Sequence, residues 1–201
     1  VSLPLEGAGL SHTMRRFAAC TGRRCELASR ESRLGQKIDR TWRKPDGVIL
    51  CGGAGRRVGG HDKGLLRVGD EAAVLVAARL LQPLCRQLFV SANRNIDIYA
   101  RLGVGPVFAD RRRGFAGPLA GLEAAAGETD GERLLLLPCD LPSLPAEVPG
   151  RLLAALDSDP ACDVTYARAA GRDHYLVAAV RRRALATVSA TLDRGQHAVR
   201  D

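Results

Sequence analysis

From Gly47 onward the chain alternates short, uninterrupted apolar runs with stretches of helical spacing. Val48-Ile49-Leu50-Cys51 opens the series and ends in a glycine-rich loop, and residues 72–84 carry apolar side chains at helical intervals. Leu88-Phe89-Val90 runs into Ser91-Ala92-Asn93, after which a short helix closes at Ala100. Val107-Phe108-Ala109 leads to Asp110, residues 119–126 are again helical in spacing, and the most apolar run, 134–137, stops at Pro138-Cys139-Asp140. Short continuous apolar runs alternating with amphipathic helices mark βαβ units, whose parallel strands are buried on both faces. The pattern predicts a three-layer α/β/α open, mostly parallel sheet. Ligands of such sheets sit beyond the carboxyl ends of the strands. The candidates for chemistry are therefore residues 52–60, 91–94, Asp110 and Asp140.

The first 44 residues lack this texture. Their apolar residues are scattered without sustained period, so they read as a weakly structured or artefactual basic extension, with the folded domain in 45–201. The overall charge of +8 changes meaning accordingly: residues 1–46 hold ten Lys and Arg against five Asp and Glu, and 47–201 hold twenty against seventeen. No aromatic interleaving accompanies the arginines, so nucleic acid is not an expected partner. No apolar run approaches the ~18 residues of a membrane span. Six cysteines (Cys20, Cys25, Cys51, Cys85, Cys139, Cys162) lie dispersed with no paired CxxC spacing and no secretory leader ahead of them, the usage of a reduced, cytoplasmic protein. Cys20 and Cys25 have no second cysteine or histidine cluster to complete a zinc site.

Residues 52–64 place six glycines within thirteen residues directly after a strand. Glycine lets backbone N–H groups turn inward onto a phosphate chain, and Arg56, Arg57 and Lys63 can neutralise its charge. Spacing excludes two familiar versions of such a loop. A dinucleotide fingerprint starting at Gly53 needs glycine where Val58 stands, and a P-loop needs Gly-Lys-Ser/Thr where Lys63 lies between Asp62 and Gly64. A solvated glycine loop with surface arginines remains the alternative. Asp140, just after a buried run, suits a Mg²⁺ ligand, since Mg²⁺ often takes only one or two protein carboxylates. It equally suits a turn residue before Leu141-Pro142-Ser143. Asp110 reads as a ligand contact or as a salt-bridge partner of Arg111-Arg112-Arg113.

Five blocks in order resemble the molybdenum cofactor guanylyltransferases of the nucleotidyltransferase superfamily. They are Val48-Ile49-Leu50-Cys51-Gly52-Gly53; Gly59-Gly60-His61-Asp62-Lys63-Gly64-Leu65; Ser91-Ala92-Asn93-Arg94-Asn95 with Tyr99; Phe115-Ala116-Gly117-Pro118-Leu119-Ala120-Gly121; and Pro138-Cys139-Asp140-Leu141-Pro142. Arg172-Asp173-His174 and Leu192-Asp193-Arg194-Gly195 are similar to later family segments. Cys51 stands where the family usually has Ala, Ser91 where it often has Asn, and Tyr175 where it commonly has Pro. The chain ends at Asp201, before the family's final Asn-containing strand and last helix.

The resemblance implies a Rossmann-like nucleotidyltransferase that moves GMP from GTP to molybdopterin, with Mg²⁺ as cofactor. It implies nucleotide contacts at Leu50, Cys51, Gly52 and Gly53, at Ser91 and Asn93, and at Asp110. Lys63 would contact the phosphates and Asp140 would hold the metal. Lys63, Asp140 and Arg57 would carry the catalysis with Arg56 beside them, and the partners would be GTP, molybdopterin and molybdoenzymes or their chaperones, met as a monomer. The alternatives are a CTP-dependent molybdopterin cytidylyltransferase, a sugar-phosphate nucleotidyltransferase, or a non-catalytic nucleotide- or cofactor-binding protein.

If residues 1–44 lie outside the domain, limited trypsin digestion should cut at their arginines and leave a resistant fragment beginning near Asp46. Its cooperative melt should match that of the intact chain; loss of the melt on cleavage would show that the extension belongs to the core.

Overall fold

A computed structural model describes residues 44–51, 59–112 and 117–195. The expected extension thus falls almost wholly outside the described residues, as do Gly52, Gly53, Arg56 and Arg57. The first strand, β1 (Asp46–Leu50), is followed by a single 3-10 turn (Lys63–Leu65), a small ribbon of β2 (Arg67–Val68) and β3 (Glu71–Ala72), and α1 (Ala73–Leu81). Next come β4 (Gln87–Ser91), α2 (Ile96–Arg101), β5 (Val107–Phe108), α3 (Pro118–Glu128), β6 (Arg133–Pro138) and α4 (Glu147–Ser158). The chain finishes with β7 (Val164–Ala169), β8 (Arg172–Arg181), α5 (Arg182–Leu185) and α6 (Val188–Asp193). No described helix is long and apolar enough to cross a membrane.

The main sheet has the order β5-β4-β1-β6-β8-β7. β1 pairs in parallel with β4 and β6, and β4 with β5. β8 runs antiparallel to β6 and to β7, so the sheet is mostly parallel with an antiparallel end. The reason is local. Only Ala170 and Gly171 separate β7 from β8, with φ of 48° and 74°. Two successive left-handed residues close a tight hairpin, and a two-residue connection permits only antiparallel pairing.

The apolar runs are buried on both faces, as their continuity predicts. Ile49, Val90, Leu135 and Leu137 face a core formed with α1, α2 and α4. Val48, Phe89, Leu134 and Leu136 face the opposite core, formed with α3, α5 and α6. α1 stops at Leu81, short of the 72–84 spacing, because Pro83 has no N–H with which to continue the ladder.

Polar anchors tie the layers together. Asp46, fully buried at the start of β1, accepts from Gly131 N at 2.9 Å and pairs with Arg86 at 2.8 Å. Arg182 donates to the carbonyls of Ala126 and Thr129, capping the C-terminal end of α3. Arg112, in the loop after β5, makes a two-pronged contact with Glu123 of α3 at 2.8 and 2.9 Å and reaches Asp193 of α6 at 2.8 Å. The hydrogen bonds from Arg112 hold the Glu123 carboxyl down to about 2 from its ordinary 4.5.

A carboxyl depressed in the folded state stabilises the fold above its unfolded value, and that stabilisation is lost as pH falls toward the folded value. Melting measured from neutrality downward should therefore steepen between 4.5 and about 2, and Glu123→Gln should flatten that part of the profile. At neutral pH the substitution should cost on the order of 2 kcal/mol.

Candidate functional site

The sheet's hydrogen-bond ladder continues one residue past the strands and then ends. Cys51 N donates to Ser91 O, Ala92 N to Phe108 O and Cys139 N to Leu50 O. Beyond these tethers the strands end at one edge of the sheet, and those predicted site residues that are described gather there in two groups, Gly52, Gly53, Arg56 and Arg57 lying outside the described residues.

In the first group Leu50, Ser91 and Asp110 converge on Gly121 of α3. A Cβ at Gly121 would stand 3.2 Å from Ser91 Oγ, 3.5 Å from Leu50 Cδ2 and 3.6 Å from Asp110 Oδ1. Asn93 and Asp110 lock each other: Asn93 Nδ2 donates to Asp110 Oδ2 at 2.7 Å, and Asp110 N donates to Asn93 Oδ1 at 2.8 Å. Burial pushes the Asp110 carboxyl up, against the opposing effect of the Asn93 hydrogen bond. Of the arginine neighbours that the salt-bridge reading of Asp110 invoked, Arg111 pairs with Glu128 and Arg112 with Glu123 and Asp193, and Arg113 lies outside the described residues.

In the second group Lys63 Nζ lies 2.8 Å from Asp140 Oδ2, a residue from the glycine-rich region meeting the residue just past β6. Both side chains are about a third or more exposed, at 34% and 42%. An ion pair so open to water is worth roughly 0 to 1 kcal/mol, so either partner can exchange it for a ligand at little cost. Among the described residues no three His, Cys, Asp or Glu side chains converge on a common metal position, and Asp140 stands as a single hard oxygen donor. That suffices for Mg²⁺, which keeps waters and takes its remaining ligands from substrate phosphates.

Cys51 and Cys139, which follow Leu50 and precede Asp140 in the chain, are both buried. The hydrogen bond with Cys139, reinforced by burial, pushes the Cys51 thiol up. Such a thiol stays protonated and is no nucleophile.

The residue that sequence reasoning missed is Asp62. Its side chain is only 5% exposed, and it accepts from Gly64 N at 3.2 Å, Asn95 Nδ2 at 2.9 Å and Tyr99 Oη at 2.6 Å. A buried carboxylate with three donors is a structural keystone, here pinning the segment that carries Lys63 onto α2. The signal was present as an N-cap: Asp directly before the turn, bonding two residues on.

Residues 47–201 match the MobA-like NTP transferase domain. The molybdenum cofactor guanylyltransferase of Shewanella loihica is 37% identical over 154 residues, which cover 77% of this chain and 78% of that relative. Among solved structures, molybdopterin-guanine dinucleotide biosynthesis protein A of Archaeoglobus fulgidus superposes with a TM-score of 0.61 at 18% identity, covering 77% of this chain and 76% of the other. A Mycobacterium tuberculosis protein solved in complex with manganese gives a TM-score of 0.57 at 16% identity, with 78% and 84% covered. At these identities the two structures establish a common fold.

Gly64 offers a test of the keystone. A Cβ there would meet Tyr99 Oη at 2.3 Å and Cys51 Sγ at 3.0 Å, and Tyr99 is fully buried. Gly64→Ala should lower stability by about 1 to 3 kcal/mol in denaturant melts. Combined with Tyr99→Phe, the losses should be clearly less than additive, because the second change removes the colliding hydroxyl.

Proposed function

The chain belongs to the MobA-like NTP transferase family, and on that premise we propose that it transfers GMP from GTP to molybdopterin. A terminal phosphate oxygen of molybdopterin attacks the α-phosphorus of GTP. The bond from that phosphorus to the bridging oxygen breaks, and pyrophosphate leaves with the bonding electrons. The product is the guanine dinucleotide form of the cofactor. The observation that carries this reading is the exchangeable Lys63–Asp140 pair at the carboxyl edge of the sheet.

Transfer of this kind asks little covalent chemistry of the protein, so positioning and charge stabilisation do the catalysis. The Lys63 ammonium releases Asp140 and turns to the phosphates, where it stabilises charge on the departing pyrophosphate. Asp140 thereby becomes available to a cation. Mg²⁺ held on this carboxylate would supply charge neutralisation to the triphosphate, and the manganese in one fold neighbour is likewise an oxygen-preferring cation. The Asn93–Asp110 pair, fixed by its two hydrogen bonds, offers rigid polar groups to the nucleoside, with Leu50, Cys51 and Ser91 beside it. Gly52 and Gly53 take their nucleotide role from the family resemblance, and the charges of Arg56 and Arg57 in the glycine-rich loop suit them to the phosphates, with Arg57 joining Lys63 in catalysis. A supply of GTP places the reaction in the cytoplasm, where the chain acts as a monomer and passes its product to molybdoenzymes or their chaperones.

Pyrophosphate release in the presence of molybdopterin and Mg²⁺ tests the proposal. GTP should be preferred over CTP, ATP and UTP by about tenfold or more in kcat/KM, equivalent to ~1.4 kcal/mol. Equal rates would remove the guanylyl assignment, and a preference for CTP would make the chain a cytidylyltransferase. Asp140→Asn should cut turnover by about a hundredfold or more and abolish its Mg²⁺ dependence, with the melting temperature nearly unchanged. Retained Mg²⁺ dependence would leave Asp140 as a turn residue.

A further inference from the structure

The segment before Lys63 is held from one side by a single guanidinium. Arg94, in the bend after β4, donates through Nη1 to the carbonyl of Gly60 at 2.6 Å and through Nη2 to the carbonyl of His61 at 2.8 Å. Its Nε lies 3.6 Å from Asp62 Oδ2. Two backbone features allow this grip. Gly59 and Gly60 both take left-handed conformations, with φ of 63° and 80°, and so bend the chain just where the Gly60 and His61 carbonyls meet Arg94. Asn95 is also left-handed, with φ of 52°, a conformation that asparagine tolerates better than most residues. The bend at Asn95 brings the Asn95 amide to Asp62, the carboxylate that Arg94 also approaches.

Covalent geometry decides what the grip does on the other side. In a trans peptide the carbonyl of one residue and the N–H of the next point in opposite directions. Holding the carbonyls of Gly60 and His61 therefore turns the N–H groups of His61 and Asp62 away from the guanidinium. Gly59, Gly60 and His61 are exposed and Asp62 is buried, so that far side opens to solvent at Gly60 and His61 and closes over Asp62. Among the described residues neither N–H has an acceptor. Two adjacent N–H groups turned from the guanidinium, without acceptors among the described residues and one residue from an exchangeable lysine, suit an anion.

We propose that Arg94 is a positioning residue: from behind the segment it fixes the Gly60 and His61 carbonyls, and so presents the His61 and Asp62 N–H groups to the phosphate chain of the nucleotide. The inference rests on the nucleotidyl-transfer reading for its ligand class but not for the choice of base. Arg94 itself touches no phosphate. Its charge offsets Asp62, which leaves the ammonium of Lys63 uncompensated once Asp140 is released. Lysine could not replace it, since a single ammonium lacks the planar fork that spans two carbonyls.

The test uses inorganic pyrophosphate, GTP and guanosine on the full chain, read by calorimetry and by ¹⁵N-amide spectra. In the wild type, pyrophosphate should shift the His61 and Asp62 amide signals downfield. Arg94→Ala and Arg94→Lys should weaken pyrophosphate and GTP by about tenfold or more, as expected for losing charge-assisted contacts, while leaving guanosine affinity unchanged. A merely structural arginine would instead reduce all three alike. That result, or His61 and Asp62 signals indifferent to pyrophosphate in the wild type, would overturn the proposal, and the wild-type spectra decide it even if a variant fails to fold. A wild type that binds pyrophosphate through these amides yet prefers CTP would support Arg94's role and sink the guanylyl assignment.

Discussion

β1 lies between β4 and β6 and beneath helices on both faces, and Val48 and Ile49 at its centre have no exposed surface. Nothing reactive can sit along such a strand, because a polar side chain there would lose water without gaining a partner. Chemistry is confined to its two ends, and the ends have been put to different uses. At the start, the fully buried Asp46 carboxylate is held by Arg86 and the Gly131 amide, and it cannot lose them without leaving a buried charge unsatisfied. At the finish, the ladder ends at Cys51, Ala92 and Cys139, and the chain spreads into loops that bring Lys63, Asp110 and Asp140 to one edge.

The same contrast separates scaffold from site within that edge. Asp62 and Asp140 are both carboxylates, and each has a cation nearby. Asp62 is buried, accepts three hydrogen bonds besides its approach to Arg94, and cannot lose them without leaving a charge unsatisfied. Asp140 is half-exposed with one lysine on one oxygen, an arrangement that water and salt already compete for. Burial thus makes the first a clamp and the second a valence open to ligand. The Asn93–Asp110 pair lies between these extremes, rigid through its two mutual hydrogen bonds but still at the surface of the edge.

The C-terminal half closes what the parallel strands leave open. β8 covers the edge of β6 with an antiparallel ladder, and Arg182, at the start of the helix that follows, satisfies the terminal carbonyls of α3. Arg112 reaches from the loop that bears Asp110 to Glu123 of α3 and Asp193 of α6. The candidate site is therefore braced by a segment far from it in sequence.

The layered fold, and the sheet edge at which Lys63, Asp110 and Asp140 gather, follow from the sequence alone, because strands buried on both faces must be continuous apolar runs, and chain leaving an open parallel sheet at the carboxyl ends of its strands comes to one edge. The runs at 48–51, 88–90, 107–109 and 134–137 all became parallel strands, and Lys63, Asp110 and Asp140 all came to that edge. Composition carried no information about which carboxylate would be clamped and which left open. Asp62 and Asp140 read alike as letters after apolar or glycine-rich text, and only the arrival of Tyr99 and Asn95 from α2 and its cap made one of them a buried keystone. The hairpin of β7 and β8 was equally illegible, since its direction hangs on two left-handed residues, Ala170 and Gly171, of which alanine gives no warning. Arg94 is the sharpest case. Its sequence neighbours place it at the site's edge, but its hold on two carbonyls more than thirty residues away exists only once β4 lies beside β1 and the glycines have turned toward it.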